Sequence, residues 1–253
     1  MNRFEGRDDL FQFLTSRFRA ITEREGIDSD AVDICAKTLT VREAIGDTKR
    51  RDFPIITGKE VVIEADYRGT KGQAFTDAPS DFRGTLREIT ELDFRHDLHA
   101  PGLFVATLNA VMSSLGLAGS AIHCRDEGPE LCAAALADRI EKDHRPRRVL
   151  LIGYQPAMLQ RLSEKFELRV FDLNEMNIGT VHHGVEIEDG NASMSRDWLN
   201  DWPDILLVTG STLCNGTLIH FLDLEKPTYF YGMTIAGAAP LLGLKRLCFA
   251  DRF

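Results

Sequence analysis

One segment of the sequence is unusually dense in hydroxyl and amide side chains, Thr209-Gly210-Ser211-Thr212-Leu213-Cys214-Asn215-Gly216-Thr217. It follows an apolar run at 204–208 that predicts a strand, and it precedes a predicted helix around 213–222. Backbone N–H groups and the dipole at a helix start favour an anion such as phosphate or carboxylate. Ser and Thr also cap helices at this position, but a second Asn-Gly-Thr exceeds what one cap requires. The predicted ligand contacts are Thr209, Gly210, Ser211, Thr212, Asn215, Gly216 and Thr217.

A second candidate loop, 231–240, is rich in Gly and Ala and follows the next predicted strand. Small residues let a ligand approach the backbone, and they equally allow tight helix packing. If the two strands are neighbours, both loops open into one crevice beyond the carboxyl ends of the strands, where parallel sheets bind ligands. The predicted contacts in this loop are Gly232, Thr234 and Gly237.

The loop Gly153-Tyr154-Gln155-Pro156 occupies the position of a dinucleotide-binding fingerprint. It lacks the glycines of that fingerprint, and Pro156 has no N–H group for a pyrophosphate. Asp172, at the end of the next predicted strand, lies where a ribose-binding acid would lie. Because of this position, we include Asp172 among the predicted ligand contacts. A nucleotide- or S-adenosylmethionine-dependent transferase or dehydrogenase is the alternative function.

Thiol and imidazole groups cluster in a third segment, which contains His123, Cys124 and Cys132. These groups suit zinc and other transition metals, and a thiol in a first helical turn has a lowered pKa. One observation argues against a metal site: Cys132 shares a helical stripe with Leu136 and Ile140, which is typical of a buried apolar position. His123 and Cys124 also point to opposite faces if they lie on a strand, and the spacing matches no zinc finger. The sequence leaves the cofactor open, and the candidate is a transition metal held by His123, Cys124 and Cys132.

The pattern of elements changes at Pro146. After it, short apolar runs alternate with helical patterns, which predicts βαβ units and a parallel sheet. Before it, a helix that ends near Gly26 precedes β-rich sequence and two helices. The fold class is therefore α/β. The predicted strands cover 32–40, 59–67, 73–77, 121–124, 148–153, 168–172, 204–210, 227–232 and 247–250, and the later helices 103–115, 129–143, 156–166 and 213–222.

Five segments, in their order along the chain, resemble the prokaryotic family described as putative heavy-metal chelation proteins. The resemblance implies a smaller α+β domain like the N-terminal domain of enolase at 1–120 and a Rossmann-like ligand-binding domain at 121–253, with helices up to about 145 bridging them. The rest of an enolase is missing, so the resemblance implies no enolase chemistry. The family has no established reaction, and its metal label is a conjecture. The segments are 72–77, 106–111, 123–126, 209–217 and 234–237.

Composition and charge exclude several classes of protein. The formal net charge is −9, and no dense Lys/Arg stripe is present, so we predict no nucleic-acid partner. The N-terminus does not have the pattern of a secretory signal, and no apolar run approaches the ~20 residues that span a bilayer. Five cysteines without a CxxC pair indicate reduced thiols, so we expect a cytoplasmic protein without a membrane partner. The oligomeric state that we consider as a candidate is a homodimer.

The predicted function is binding of a small anionic or metal-complexed ligand in a cleft between the two domains. Thr76 and Asp77 follow a Gly-rich turn of the N-terminal domain and could reach that cleft, or they could cap the turn. The sequence spacing places no nucleophile beside a base, because such partners meet in space and not along the chain. Whether the protein is an enzyme therefore stays open at this point.

Overall fold

The computed structural model of the protein describes residues 4–35, 46–47, 61–191 and 194–252. These residues form two β-sheets and seven α-helices. The predicted strand ends at 36–40 and 59–60 lie outside the described residues. The helices are α1 (Arg7–Arg24), α2 (Leu86–Thr90), α3 (Ala100–Ser114), α4 (Gly128–His144), α5 (Pro156–Ser163), α6 (Arg196–Asp201) and α7 (Ala238–Leu242). The strands are β1 (Ala31–Cys35), β2 (Val61–Tyr67), β3 (Thr70–Thr76), β4 (Phe82–Thr85), β5 (Arg148–Ile152), β6 (Glu167–Asp172), β7 (Val181–His182), β8 (Val185–Asp189), β9 (Ile205–Thr209), β10 (Thr228–Tyr231) and β11 (Arg246–Leu247).

The first sheet is antiparallel, with the strand order β3-β2-β1-β4. β2 and β3 form a hairpin in which Val61 pairs with Thr76 and Tyr67 pairs with Thr70. Its turn runs through Arg68 and Gly69, and both have positive φ angles. The buried side of this sheet packs on α3 and on the apolar stripe of α1. The sheet thereby holds the end of β3 in place beside the second sheet.

The second sheet has the strand order β11-β10-β9-β5-β6-β8-β7, and all its neighbouring strands are parallel except β7 and β8. The α/β fold with a parallel sheet, predicted from the sequence, is confirmed. Counted from β5, the parallel strands lie in the order 6-5-4-1-2-3, so the chain reverses its direction of winding between β5 and β9. Ligands bind at such a switch point because the loops there diverge and leave a crevice.

The two faces of the parallel sheet belong to different cores. Val149 and Leu151 of β5 face α4 and α5, whereas Leu150 and Ile152 face the core shared with α1, α3 and the antiparallel sheet. This alternation follows from the two-residue repeat of a strand, and the continuous apolar run of β5 follows from burial on both faces. No helix in the described part of the chain is long and apolar enough to cross a membrane.

Helix α3 lies between the two sheets, and its residues from Ala100 to Met112 are all buried. Its polar residue Asn109 is fully buried and bonds to both sides. The Asn109 amide donates to the carbonyls of Gln73 (2.8 Å), Met233 (3.1 Å) and Thr234 (3.1 Å). Its oxygen accepts from the N–H of Gly237 at 2.6 Å. This one side chain therefore fastens β3 to the loop after β10.

Three local predictions were wrong. The helix predicted at 213–222 is replaced by two short 3-10 helices, Gly210–Thr212 and Thr217–Phe221, with Gly216 in the left-handed region between them. Residues 121–124 are not a strand, although the carbonyl of Ala121 accepts a hydrogen bond from the Gln73 N–H. The β7–β8 hairpin was missed because its strands are short and polar.

Candidate functional site

A cavity of about 970 Å³ opens at the switch point of the parallel sheet. Its floor is formed by the ends of β5, β6, β9 and β10, and the end of β3 lines one side. The start of α4 and the segment before it line another side. Of the sixteen residues predicted to contact a ligand or metal, the cavity lining includes fourteen: Thr76, Asp77, His123, Cys124, Cys132, Asp172, Thr209, Gly210, Ser211, Thr212, Asn215, Thr217, Gly232 and Thr234.

The loops after β9 and β10 lie side by side, as expected if their strands are neighbours. β9 and β10 are paired in parallel, with Tyr231 opposite Thr209. A side chain at Gly210 would place its Cβ 2.7 Å from the backbone nitrogen of Ile235, so only glycine allows the loops to approach this closely. The two loops thus form one continuous wall of the cavity.

Hydrogen bonds within the β9 loop hold its polar side chains in place. The Thr209 and Ser211 hydroxyls lie 2.9 Å apart, and the Thr212 hydroxyl donates to the Thr209 carbonyl at 2.6 Å. Asn215 accepts from both the N–H and the hydroxyl of Thr217. Because the 3-10 helices here are short, the loop does not lie at the start of a long helix, and the expected dipole for an anion is largely absent.

Two predicted contacts lie outside the lining. Gly216 packs against the side chain of Arg7, and a Cβ there would approach it to 2.7 Å. Gly237 lies against α3, and its N–H is bound to Asn109. Both glycines therefore meet the protein itself, and close helix packing explains Gly237 better than ligand contact does.

Asp172 supports the loop after β5. One of its carboxylate oxygens accepts from the Tyr154 N–H at 2.6 Å, and the other accepts from the Asn174 N–H at 2.7 Å and the Asn177 amide at 3.3 Å. Protein donors therefore occupy much of the carboxylate that a ribose would need. Gln155 caps helix α5 by accepting from the Met158 N–H, so this helix start also offers little to a pyrophosphate.

The end of β3 brings polar groups of the first sheet to the cavity. The Thr76 hydroxyl accepts from the Ala78 N–H at 3.1 Å, as a turn cap does. The Thr234 hydroxyl is almost fully buried and accepts from the Phe75 N–H, so it joins the two sheets. Asp77 is exposed and lines the cavity. Burial is the main reason that the pKa of Cys214 rises to about 12, and the charge of Asp77 raises it further. Asp77 is thus the carboxylate that the first sheet presents to the cavity.

Three partly exposed thiols line one end of the cavity, Cys124, Cys132 and Cys248. The Cys124 thiol hydrogen-bonds to Cys132, and this bond is the main reason that the pKa of Cys132 falls to about 7. A backbone bond from Phe249 and the charge of Arg246 act in the same direction. The same contact and burial raise the pKa of Cys124. Cys132 is the fifth residue of α4, so these neighbours, and not the first helical turn that we had predicted, stabilise its thiolate.

His123 is held in place by two hydrogen bonds. Its Nδ1 atom lies 2.6 Å from the Cys124 carbonyl, and its N–H donates to the Gln73 side chain at 2.7 Å. Burial lowers its pKa, so the ring is neutral at pH 7. Among the described residues, no group of three or more His, Cys, Asp or Glu side chains is arranged to hold a metal ion.

Sequence reasoning missed several groups in the lining. Cys248 lies at the end of β11, and no spacing in the sequence relates it to Cys124 or Cys132. His220, exposed in the second 3-10 helix, reaches the cavity because that helix is short. Leu173 and Met176 form an apolar rim, with 40% and 67% of their surfaces exposed. Exposed apolar residues after a strand end were the signal that could have identified this rim.

The fold and cavity define an α/β protein with a ligand-sized cavity at its sheet switch point. Comparison with protein families gives a match over residues 136–237 to the DUF364 family, described as putative heavy-metal chelation. This match confirms the resemblance predicted from the sequence. It covers most of the parallel sheet, but it does not reach Cys124, Cys132 or Asp77.

Two solved structures have similar folds. One is a DUF364-family protein of unknown function from Pyrococcus horikoshii, with 16% identity, a TM-score of 0.56, and coverage of 89% of this chain and 79% of that one. The other is a DUF364-family protein of unknown function from Desulfitobacterium hafniense, with 12% identity, a TM-score of 0.49, and coverage of 72% of each chain. At this identity the first likeness shows the fold alone. The comparison with curated proteins gives no match.

Proposed function

We propose that the protein binds a small, partly apolar molecule that carries a metal ion in the cavity between its two sheets. The observation that carries this proposal is the convergence in one cavity of about 970 Å³ of an acidic group, a polar loop and thiols. A cavity of this size suits a drug-sized or cofactor-sized ligand. The family description, heavy-metal chelation, supports the same class of ligand.

The chemistry of the lining favours a metal-carrying ligand over a free anion. The described lining contains no Lys or Arg, whereas Asp77 contributes a carboxylate. The hydroxyls of Ser211 and Thr217 and the Asn215 amide can bind the organic part of a metal complex. Because no long helix begins after β9, the main argument for an anionic ligand no longer holds.

A bound metal would be held partly by its own chelator, since the described side chains supply no group of three ligands. Cys124 and Cys132 are the soft ligands closest to each other, and a thiophilic ion could take one or both as additional ligands. His123 could offer its Nε2 atom to the metal, because the contact of its Nδ1 atom with the Cys124 carbonyl is of the kind that orients a metal-ligating imidazole.

A nucleotide- or S-adenosylmethionine-dependent enzyme is not supported. The Gly153 loop lacks the glycine fingerprint, Gln155 caps the helix that would face a phosphate, and Asp172 is engaged by three protein donors. Millimolar NAD or S-adenosylmethionine should therefore leave the melting temperature unchanged.

The proposal is tested by thermal unfolding with the bis-histidine complexes of Ni²⁺ and Cu²⁺ as probes. A ligand at about 100 times its Kd stabilises a folded protein by about 2.7 kcal/mol, which is about 5–10 °C for a chain of this size. Histidine alone and inorganic phosphate are expected to give no shift. If neither complex changes the melting temperature, or if histidine alone gives the same shift, the proposal is wrong.

Asp77→Asn is the matching variant, because it removes the charge and keeps the shape. Loss of the strong hydrogen bonds from the metal-bound amino groups to its carboxylate should weaken binding of the complexes by about tenfold, or about 1.4 kcal/mol. Glu186→Gln is the control, since Glu186 is exposed on β8 and does not line the cavity. If both variants bind the complexes with equal affinity, then Asp77 does not contribute to binding.

A further inference from the structure

Cys124 and Cys132 form a pair of thiols in direct contact at the wall of the cavity. Cys124 lies in the irregular segment before α4, and Cys132 lies in the second turn of that helix. A turn through Asp126, which has a positive φ of 57°, folds the segment back on the helix. A Cβ at Gly128 would lie 3.2 Å from the Cys124 Cβ, which shows how closely the segment approaches the helix start. The two sulfurs are thereby held within hydrogen-bonding contact.

The surroundings of this pair differ from those of an inert, buried thiol. Both cysteines are partly exposed and line the cavity, so a small molecule can reach them. Cys214 lines the same cavity but is buried, and its pKa is raised to about 12, as expected for an unreactive thiol. Arg246 is fixed by bonds to the Gly232 and Ser120 carbonyls, so a cation lies beside the two thiols.

We propose that Cys124 and Cys132 are a redox-active dithiol that exchanges with low-molecular-weight disulfides entering the cavity. One thiol of the pair, as its thiolate, attacks one sulfur of the small disulfide, which forms a mixed disulfide and releases one thiol. The other sulfur of the pair then attacks the cysteine sulfur of this mixed disulfide, forms the Cys124–Cys132 bond and releases the second thiol. Two protein thiols are oxidised, the small disulfide is reduced to two thiols, and the two thiol protons pass to these products.

This activity needs no metal, although it uses the two thiols that a bound metal ion could take as ligands. The segment that matches the heavy-metal chelation family begins after both of them. Oxidation would join the segment before α4 to the helix itself and fix that wall of the cavity. Metal-free protein in the presence of a chelator is therefore the correct material for the test, so that failure here leaves the proposed function untouched.

The test is incubation of the full chain with glutathione disulfide, followed by thiol counting and peptide mapping after denaturation. The chain has five cysteines, so formation of one disulfide should lower the count of free thiols from five to three. Peptide mapping should find the Cys124–Cys132 bond and no retained glutathione. Cys124→Ser and Cys132→Ser should each retain one glutathione on the remaining cysteine of the pair, because the resolving thiol is missing.

Cys248→Ser is the matched control, since Cys248 lines the same end of the cavity but lies outside the pair, and it should behave as the unchanged chain does. The mapping on the unchanged chain does not depend on how the variants fold. Five free thiols after incubation, a stable glutathione adduct without an internal bond, or a disulfide through Cys248 would each overturn the proposal.

Discussion

Replacement of Asn109 by Ala should destabilise the protein far more than loss of the other buried polar group on α3, the Thr107 hydroxyl. The side chain is fully buried and makes four hydrogen bonds, to Gln73 and to the loop of Met233, Thr234 and Gly237. Alanine leaves the Gly237 N–H without its partner, which costs about 1–3 kcal/mol. It also removes the two N–H donors of the amide, which three carbonyls share and which contribute about 1 kcal/mol each. We expect a total loss of roughly 3–5 kcal/mol.

The assay is urea unfolding followed by fluorescence, with the free energy extrapolated to water. Thr107→Val is the control on the same helix, because its hydroxyl is equally buried but bonds only to the Leu103 carbonyl one turn earlier. That change should cost about 1 kcal/mol or less. If Asn109→Ala costs no more than Thr107→Val, then the side chain does not fasten the two sheets together and the reasoning is wrong.

Three further outcomes are expected. Gly153→Ala should destabilise the chain by about 1–3 kcal/mol, because φ is +88° and a Cβ would lie 2.6 Å from Thr209; Gly179→Ala, with positive φ but open space, should cost less. Burial and the bond to Asp30 raise the Tyr67 pKa to about 12. The unfolded chain therefore ionises first, and the stability advantage over Tyr67→Phe, present below pH 10, should close between pH 10 and 12 in urea titrations. Ser211→Ala should weaken binding of the Ni²⁺ bis-histidine complex severalfold in calorimetry without changing the melting temperature of the ligand-free chain.

The parallel sheet could be predicted from the sequence because its signals are local. The apolar run of β5 and the helix that begins at Pro156 each follow from neighbouring residues. The β9 and β10 loops could be assigned to one crevice only on the condition that their strands are neighbours, which the structure meets. We predicted a helix at 213–222 because its apolar residues fit a helical repeat, and this prediction was wrong. Gly216, with a φ of +81°, breaks the chain into two short 3-10 turns there.

The candidate site was only partly predictable, because its groups meet through tertiary contacts. Cys248 reaches the thiol end of the cavity through the position of β11 at the sheet edge, which no spacing encodes. Thr234 and Gly237 have the composition of a ligand loop, yet their polar groups bond to Phe75 and Asn109 across the sheets. Small residues permit both close ligand approach and close packing, and only the neighbouring element decides between them.

The central claim, that the cavity holds a small metal-carrying molecule, is tested most directly by native mass spectrometry with elemental analysis of anaerobically purified protein. We expect a bound species in near-equal ratio to the chain, with one metal ion, that is lost in Asp77→Asn and kept in Glu186→Gln. Protein free of any bound species and of metal, which also fails to take up the bis-histidine complexes, would contradict the claim.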